Sequence, residues 1–283
     1  MIETALTLPG GPTLHVYDTG GPARLTVLWH HGTPNLGAPP GPLLPLAEEL
    51  GIRWISYDRP GYGSSTPAPG RRAGDAAGWA AAVAEALGIG EFAVMGHSGG
   101  SSHALACAAL LPGRVRAVAS LAAVAPFGGE GWFDGMADAS AASLRAAAEG
   151  RAAKERHEAA AGFDPDVFTA ADFAALTGSW SWLDEVVRPA LGAPGLIDDD
   201  LAYVTPWGAD PAAITAPVLL VHGEDDRMIP ATHSRWLAAR CPAAELRLSP
   251  GDGHISVLRH AAEALKWLAV QDSSASEATA GAM

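Results

Sequence analysis

The chain has 283 residues and a mass of 28.9 kDa, and 48% of its residues are hydrophobic, enough for the core of one large domain or a domain with an insertion. A formal net charge of −13 argues against a nucleic-acid partner, because nucleic-acid-binding proteins need a basic surface. Two cysteines, Cys107 and Cys241, are too few for a disulfide scaffold, lack metal-ligand spacing and are typical of a reducing compartment.

The first residues lack the basic and apolar regions of a secretory signal. No run of about 18 apolar residues occurs that could cross a membrane. We therefore expect a cytoplasmic protein without a membrane span. The residues carry no signal for a particular oligomeric state.

Seven short apolar runs predict the strands of a parallel sheet, because strands buried on both faces are almost continuously apolar. The runs are 14–17, 25–29, 52–57, 92–95, 115–121, 218–222 and 246–248. Helical patterns alternate with them, at 42–50, 76–87, 101–111, 232–240 and 256–270. This alternation predicts an α/β fold with a doubly wound, mostly parallel sheet.

One segment interrupts the alternation. Between residues 127 and 212 no strand pattern occurs, and stretches such as "MADASAASLRAAAEGRAAKERHEAAAG" have a helical composition. We predict a helical cap at 127–212, inserted into a core formed by 1–126 and 213–271. The small, polar segment 272–283 is predicted to be a disordered tail.

The motif "GHSGG" places Ser98 between a predicted strand and a predicted helix. In the G-x-S-x-G nucleophile elbow, a serine occupies a strained turn between a strand and a helix, and the glycines avoid clashes across it. Backbone N–H groups at the helix N-terminus favour a developing negative charge there. Glycine-rich turns also bind phosphate, so the motif alone leaves a nucleophile and a phosphate site as alternatives.

A serine nucleophile needs a general base, and the base needs an acid that holds its tautomer. His254 lies in "SPGDGH", the loop after the last predicted strand, at the sheet edge where ligands bind. The preceding strand leads into "HGEDDRMIP", which offers Glu224, Asp225 and Asp226. We select Asp226 as the acid, with Asp225 as the alternative.

An oxyanion hole combines the N–H group after the nucleophile with one from a loop that follows an early strand. The first donor is Gly99. The segment "HHGTP" follows the run 25–29 and makes Thr33 the second predicted donor.

Five segments, in this order, resemble the α/β-hydrolase fold superfamily: "HHGTP", "YDRPGYGSS", "GHSGG", "HGEDDRMIP" and "GDGHISVL". Their order also places Ser98, Asp226 and His254 in the sequence typical of that superfamily's triad. The resemblance implies a capped hydrolase core that works without a metal or an organic cofactor. In the family's pattern the acid usually lies four residues before the proline, which supports Asp226 relative to Pro230.

The residue at the nucleophile position narrows the activity. Epoxide hydrolases and haloalkane dehalogenases resemble this fold but use aspartate, and dienelactone hydrolases use cysteine. With Ser98, we expect hydrolysis of a carboxylic ester or related acyl bond in a small-molecule substrate, through an acyl-enzyme. Proline iminopeptidase-like cleavage, carbon–carbon bond hydrolysis and perhydrolysis stay open, as does a non-catalytic binding scaffold of the same fold.

Substrate selection is expected to come from the cap. Tryptophans there suit an apolar acyl or alcohol group, although packing between cap and core is the alternative. The candidates are Trp132, Trp180, Trp182 and Trp207. An aminopeptidase would instead need cap carboxylates to hold the substrate amine, and Asp184, Glu185 and the run 198–200 are the candidates.

Overall fold

The computed structural model describes residues 1–128 and 131–280, with side chains described up to residue 271. Its strands are β1 (Ile2–Thr7), β2 (Thr13–Asp18), β3 (Leu25–His30), β4 (Ile52–Tyr57), β5 (Phe92–His97), β6 (Val115–Leu121), β7 (Val218–Gly223) and β8 (Ala244–Ser249). They form one sheet in the order β1-β2-β4-β3-β5-β6-β7-β8. Pairing is antiparallel at β1–β2 and β2–β4 and parallel from β4 to β8. The predicted doubly wound, mostly parallel sheet is confirmed.

The edge strand β1 has no counterpart among the predicted runs. Its six residues are almost all exposed, and three of them are polar. The antiparallel ladder with β2, from Ile2 opposite Asp18 to Thr7 opposite Thr13, holds the strand in place. A half-polar edge strand of this kind lacks the continuous apolar run that marks the buried strands.

The α-helices of the described residues are α1 (Leu44–Glu49), α2 (Ala76–Ala86), α3 (Gly99–Leu110), α4 (Asp138–Glu149), α5 (Arg151–Ala160), α6 (Ala170–Thr177), α7 (Leu183–Val187), α8 (Pro194–Tyr203), α9 (Thr232–Ala238) and α10 (Ala261–Ala280). A 3₁₀ helix, Ser256–His260, precedes α10. None of the helices in this part of the chain has the length and apolar character needed to cross a bilayer.

Two apolar layers cover the sheet, one on each face. Alternate strand residues point to opposite sides, so Leu28 and Val94 pack with α2 and α3, whereas Val27 and Met95 pack with α1 and α10. Burying both faces explains why the central strands are apolar along their whole length. Because the strands from β4 to β8 run parallel, their carboxyl ends lie at one edge of the sheet, where the loops after β3, β5, β7 and β8 meet.

The five helices α4 to α8 lie between β6 and β7, where the sequence predicts the cap. A third apolar cluster joins cap residues such as Leu144 and Tyr203 to Val124 and Ile229 of the core. The exact domain limits at 126/127 and 212/213 stay predictions. In the segment 272–283, predicted as a disordered tail, the backbone continues helix α10 to Ala280, whereas the side chains of 272–280 and the whole of 281–283 lie outside the described residues.

Candidate active site

Ser98 occupies the turn between β5 and α3 with backbone angles of φ 54° and ψ −129°. A positive φ is costly for a residue with a side chain, and such strain clusters at functional sites. The neighbouring glycines are required by space. A Cβ on Gly96 would lie 2.5 Å from the carbonyl oxygen of Gly100, and one on Gly100 would overlap the backbone of His30. The local sequence therefore supports the strained turn that presents Ser98.

Three side chains from separate loops converge at this turn. Ser98 Oγ lies 2.9 Å from Nε2 of His254, and Nδ1 of His254 lies 2.8 Å from Oδ2 of Asp226. Because the carboxylate only accepts hydrogen bonds, His254 donates its Nδ1–H to Asp226 and leaves Nε2 free to accept the Ser98 hydroxyl proton. All three side chains are buried.

The structure places Asp226, and not its neighbour, against His254. The second oxygen of Asp226 accepts hydrogen bonds from the backbone N–H groups of Met228 and Ile229, both at 2.9 Å. These bonds fix the direction of the carboxylate. Asp225 is exposed.

Burial and charge act in opposite directions on this pair. Burial disfavours the Asp226 carboxylate, but His254 and His222 stabilise it and lower the pKa of Asp226 well below its ordinary value. Burial likewise disfavours the His254 imidazolium, but the Asp226 carboxylate outweighs it, and the pKa of His254 is raised above 6.5. The site thus keeps an anion beside a ring that is prepared to take a proton.

His97 and His222 support the pair, and the sequence patterns did not single them out for this role. His97 donates from Nε2 to the backbone carbonyl of His254 at 2.9 Å, and burial lowers the pKa of His97 to about 3, so its ring is neutral. His222 lies beneath the acid, with its Nε2 3.2 Å from Oδ2 of Asp226.

The two predicted oxyanion donors lie together beside Ser98. Thr33 and Gly99 line one cavity with the nucleophile. A Cβ on Gly99 would lie 3.0 Å from Oγ1 of Thr33 and would overlap the hydroxyl of Tyr203, so only glycine fits there. The Gly99 backbone therefore lies close to the Thr33 side chain.

A buried carboxylate of the cap holds the Thr33 loop. Thr33 donates its hydroxyl proton to Asp199 at 2.7 Å, and the Tyr203 hydroxyl lies 2.7 Å from Thr33 Oγ1. Arg59 Nη2 lies 2.6 Å from Asp199 and 2.8 Å from the carbonyl oxygen of Gly32. Helix α8 of the cap is thereby connected to the loop after β3.

The same carboxylate balances two buried cations. Arg71 Nη2 donates to Oδ1 of Asp199 at 2.7 Å, and the Tyr62 hydroxyl donates to Oδ2 at 2.9 Å. Burial disfavours the carboxylate, but Arg59 and Arg71 hold the pKa of Asp199 well below its ordinary value. The run 198–200 is therefore not a free acidic surface: Asp198 also pairs with Arg151.

Two cavities meet at Ser98, with volumes of about 650 and 440 Å³. The larger has a mostly apolar wall, and the residues found only there include Leu176, Leu183 and Ile255. The smaller is also lined mostly by apolar surface, and the polar residues found only there include Ser143, Glu158 and Asp200. Cavities of this size accommodate small organic molecules.

Aromatic contact in these cavities comes from Phe163 and Phe168, which line both and stack with ring centroids 6.2 Å apart. None of the four tryptophans proposed from the sequence as substrate-binding residues lines either of these two cavities. Trp180 and Trp207 are buried in the two core layers, Trp182 packs against Gly41, and Trp132 donates to the carbonyl oxygen of Ala125. Their large apolar area joins the cap and its flanking loops to the core, which was the alternative interpretation.

Comparison with known proteins agrees with this architecture. A family model of the α/β hydrolase fold matches residues 26–261. A pimeloyl-[acyl-carrier protein] methyl ester esterase from Aromatoleum aromaticum is 37% identical over 76 residues, which are 27% of this chain and 29% of that protein. The match therefore spans less than a third of the relative's length.

Solved structures resemble nearly the whole chain. An esterase from Thermogutta terrifontis superimposes with a TM-score of 0.69 and 22% identity, covering 96% of this chain and 100% of the other. A bromoperoxidase from Bacillus anthracis superimposes with a TM-score of 0.68 and 19% identity, over 96% and 100% of the two chains. At these identities the likeness concerns the fold alone. With the family match extending over most of its length, the chain belongs to the α/β hydrolase fold family.

Proposed function

We propose that this protein is a serine hydrolase that cleaves carboxylic esters of small molecules through an acyl-enzyme on Ser98. The observation that carries the proposal is the continuous hydrogen-bonded series from Ser98 through His254 to Asp226. A hydroxyl, a base and an orienting acid at these distances are what nucleophilic acyl transfer requires.

In the proposed reaction, Ser98 Oγ attacks the ester carbonyl while Nε2 of His254 takes its proton. Asp226 stabilises the resulting imidazolium, and the N–H groups of Thr33 and Gly99 stabilise the oxyanion. Collapse of the tetrahedral intermediate breaks the bond to the alcohol, which leaves with the proton from His254. Water then attacks the acyl-enzyme, again with His254 as the base, and the carboxylic acid is released.

A fluorophosphonate probe tests the proposal directly, because it phosphonylates only an activated serine. We expect one equivalent to attach to Ser98, and we expect hydrolysis of p-nitrophenyl esters. Absence of both reactions in the folded protein would contradict the serine hydrolase proposal and favour a binding scaffold.

The pH dependence of kcat/KM follows from the state of His254. Its protonated ring cannot accept the Ser98 proton, so activity is lost as the pH falls through the pKa of His254. Since that pKa is raised, we expect the midpoint of the acid limb above the ordinary value of 6.5. Initial rates at substrate concentrations well below KM measure this, and a profile that stays flat from about pH 8 to about pH 5 would speak against His254 as the base.

The apolar wall of the larger cavity supports an apolar acyl group as the preferred substrate part. Replacing Leu176 with tryptophan would fill this cavity without touching the smaller one. We expect kcat/KM for p-nitrophenyl octanoate to fall on the order of tenfold relative to the acetate, because the longer chain loses its space.

The matched control is Leu191→Trp, because Leu191 is an exposed leucine of the cap that lines neither cavity. Its octanoate-to-acetate ratio should equal that of the wild type. A ratio unchanged by Leu176→Trp would show that the acyl group does not enter the larger cavity.

The contacts of the cap carboxylates support an esterase over an aminopeptidase. Asp198 and Asp199 are paired with arginines, and Asp200 lies 2.5 Å from Nζ of Lys154. These three carboxylates are engaged with cations and are poorly placed to hold a substrate amine. Asp184 lines the larger cavity, and its pair with Arg188 at 2.6 Å is mostly exposed. Glu185 is exposed and lines neither cavity.

A further inference from the structure

A second buried carboxylate of the cap, Asp172, lies against the loop that carries His254. Asp172 is the third residue of α6, and its Oδ2 accepts hydrogen bonds from the backbone N–H and the hydroxyl of Thr169, both at 2.9 Å. The backbone N–H of Asp172 in turn donates to Thr169 Oγ1 at 3.1 Å, which completes a capping box, a motif that ordinarily sits on an exposed helix end. Here the Asp172 side chain is completely buried.

The other oxygen of Asp172 is used outside its own helix. Oδ1 accepts from the backbone N–H groups of Ile255 and Ser256, both at 2.8 Å, and from the Ser256 hydroxyl at 2.9 Å. These amides begin the 3₁₀ helix Ser256–His260 and have no partner within it. One carboxylate thus caps its own helix and, from a distance of more than 80 residues, the start of another.

This contact encloses His254 on both sides. The Ser256 hydroxyl accepts from the N–H of Gly253 at 2.7 Å, so the residues before and after His254 are both linked to Asp172. A Cβ on Gly253 would overlap the Asp172 carboxylate, so the loop passes directly over it. The contacts with Asp172 and the hydrogen bond from His97 to the His254 carbonyl oxygen together hold the loop, so the His254 imidazole has little freedom to move.

The charge of Asp172 also reaches the ring. Burial disfavours its carboxylate, but the hydrogen bonds from Ser256, Thr169 and Ile255 lower the pKa of Asp172 below its ordinary value, so it is an anion at neutral pH. The other titratable groups around His254 are Asp226, His222 and the neutral His97. Asp172 is the anion that the cap adds to this set.

We propose that Asp172 is a positioning residue for His254: it holds the base loop in register with Ser98 and stabilises the imidazolium that forms during the reaction. The inference rests on the proposed function of Ser98 and His254. It assigns to the cap a part in acid–base chemistry as well as in enclosing the substrate. A displacement of the base by about 1 Å costs up to two orders of magnitude in rate, so such a role has a measurable effect.

The experiment compares Asp172→Asn with the wild type. The amide removes the charge but retains an acceptor oxygen. We expect kcat to fall roughly tenfold to a hundredfold with little change in KM, because Asp172 itself lines neither cavity. Removing an anion near His254 lowers its pKa, so the acid limb of kcat/KM should move to lower pH.

Asp138→Asn is the matched control, because Asp138 is an exposed carboxylate in the first turn of the cap helix α4. It should leave both quantities unchanged. Ser256→Ala separates position from charge: it removes the hydroxyl contact and keeps the Asp172 anion. We expect Ser256→Ala to be slower than the wild type with its acid limb in place, which also keeps the proposal testable if Asp172→Asn folds poorly.

Titration of the His254 ring by NMR gives a readout independent of turnover, with His254→Gln assigning the signal. A lower His254 pKa in Asp172→Asn supports the proposal. Unchanged kcat together with an unchanged His254 pKa in Asp172→Asn would overturn the proposal. A lower melting temperature without a change in kcat or in the His254 pKa would overturn it too. If the wild type neither hydrolyses esters nor reacts with a fluorophosphonate, the proposed function fails, and the titration by itself decides whether Asp172 acts on His254.

Discussion

Replacing Ser98 with alanine is expected to lower kcat/KM for p-nitrophenyl esters by at least about 1,000-fold, because no other group can form the acyl-enzyme. The loss should fall on kcat, since the cavity walls that bind the substrate are unchanged. The residual rate would come from the oxyanion donors and from binding. Steady-state kinetics, together with mass spectrometry after fluorophosphonate treatment, measure the effect, and the variant should carry no label.

Ser102 provides the control. It is a buried serine of α3, the helix that begins directly after Ser98, and its hydroxyl donates to the Val124 carbonyl at 2.9 Å instead of to His254. Ser102→Ala should remain labelled and active while losing roughly 1 kcal/mol of stability with the hydrogen bond. Wild-type turnover in Ser98→Ala would show that a different nucleophile performs the reaction.

The second large effect is expected on stability, from Asp199→Ala. Arg59 and Arg71 are each only 1% exposed at the side chain, and this carboxylate pairs with both. Its removal leaves the buried Arg59 guanidinium without a carboxylate partner, although Arg71 keeps Asp198 at 3.1 Å. Breaking a buried ion pair in this way typically costs about 3–5 kcal/mol. Because domains are stable by only about 5–15 kcal/mol, the variant should unfold at much lower urea concentration than the wild type.

Asp184→Ala is the comparison that isolates burial. Asp184 also pairs with an arginine, but both side chains are mostly exposed, at 64% and 76%. Screening by water makes such a pair worth at most about 1 kcal/mol. A urea midpoint for Asp199→Ala that matches that of Asp184→Ala would mean that the arginines find other partners or water.

The sheet and the elbow could be predicted because their causes are local. The run 25–29 is apolar at nearly every position, which identifies a strand buried on both faces. Ser98 lies between glycines that the turn itself requires, so a few residues contain the whole signal. Chain order then limited the candidates for the base and the acid to two loops.

The cap contacts could not be predicted in this way. Asp199 is 140 residues from Arg59, and Asp172 is 84 residues from Ser256, so no local pattern links the partners. In the sequence, Asp199 is part of an acidic run, and Asp172 resembles an ordinary helix cap. The tryptophans show the same limit: composition indicates that Trp207 is apolar and large, but only the fold decides whether it faces a substrate or the core.

The two buried carboxylates of the cap have a consequence for engineering. Asp199 holds the loop of Thr33, and Asp172 holds the loop of His254, so the cap is part of the framework of the site. A cap from a relative could not be exchanged as an independent module, since its removal would release both loops and leave Arg59 unpaired. A working chimaera would need to carry a carboxylate at each of these two positions, or new core residues that make them unnecessary.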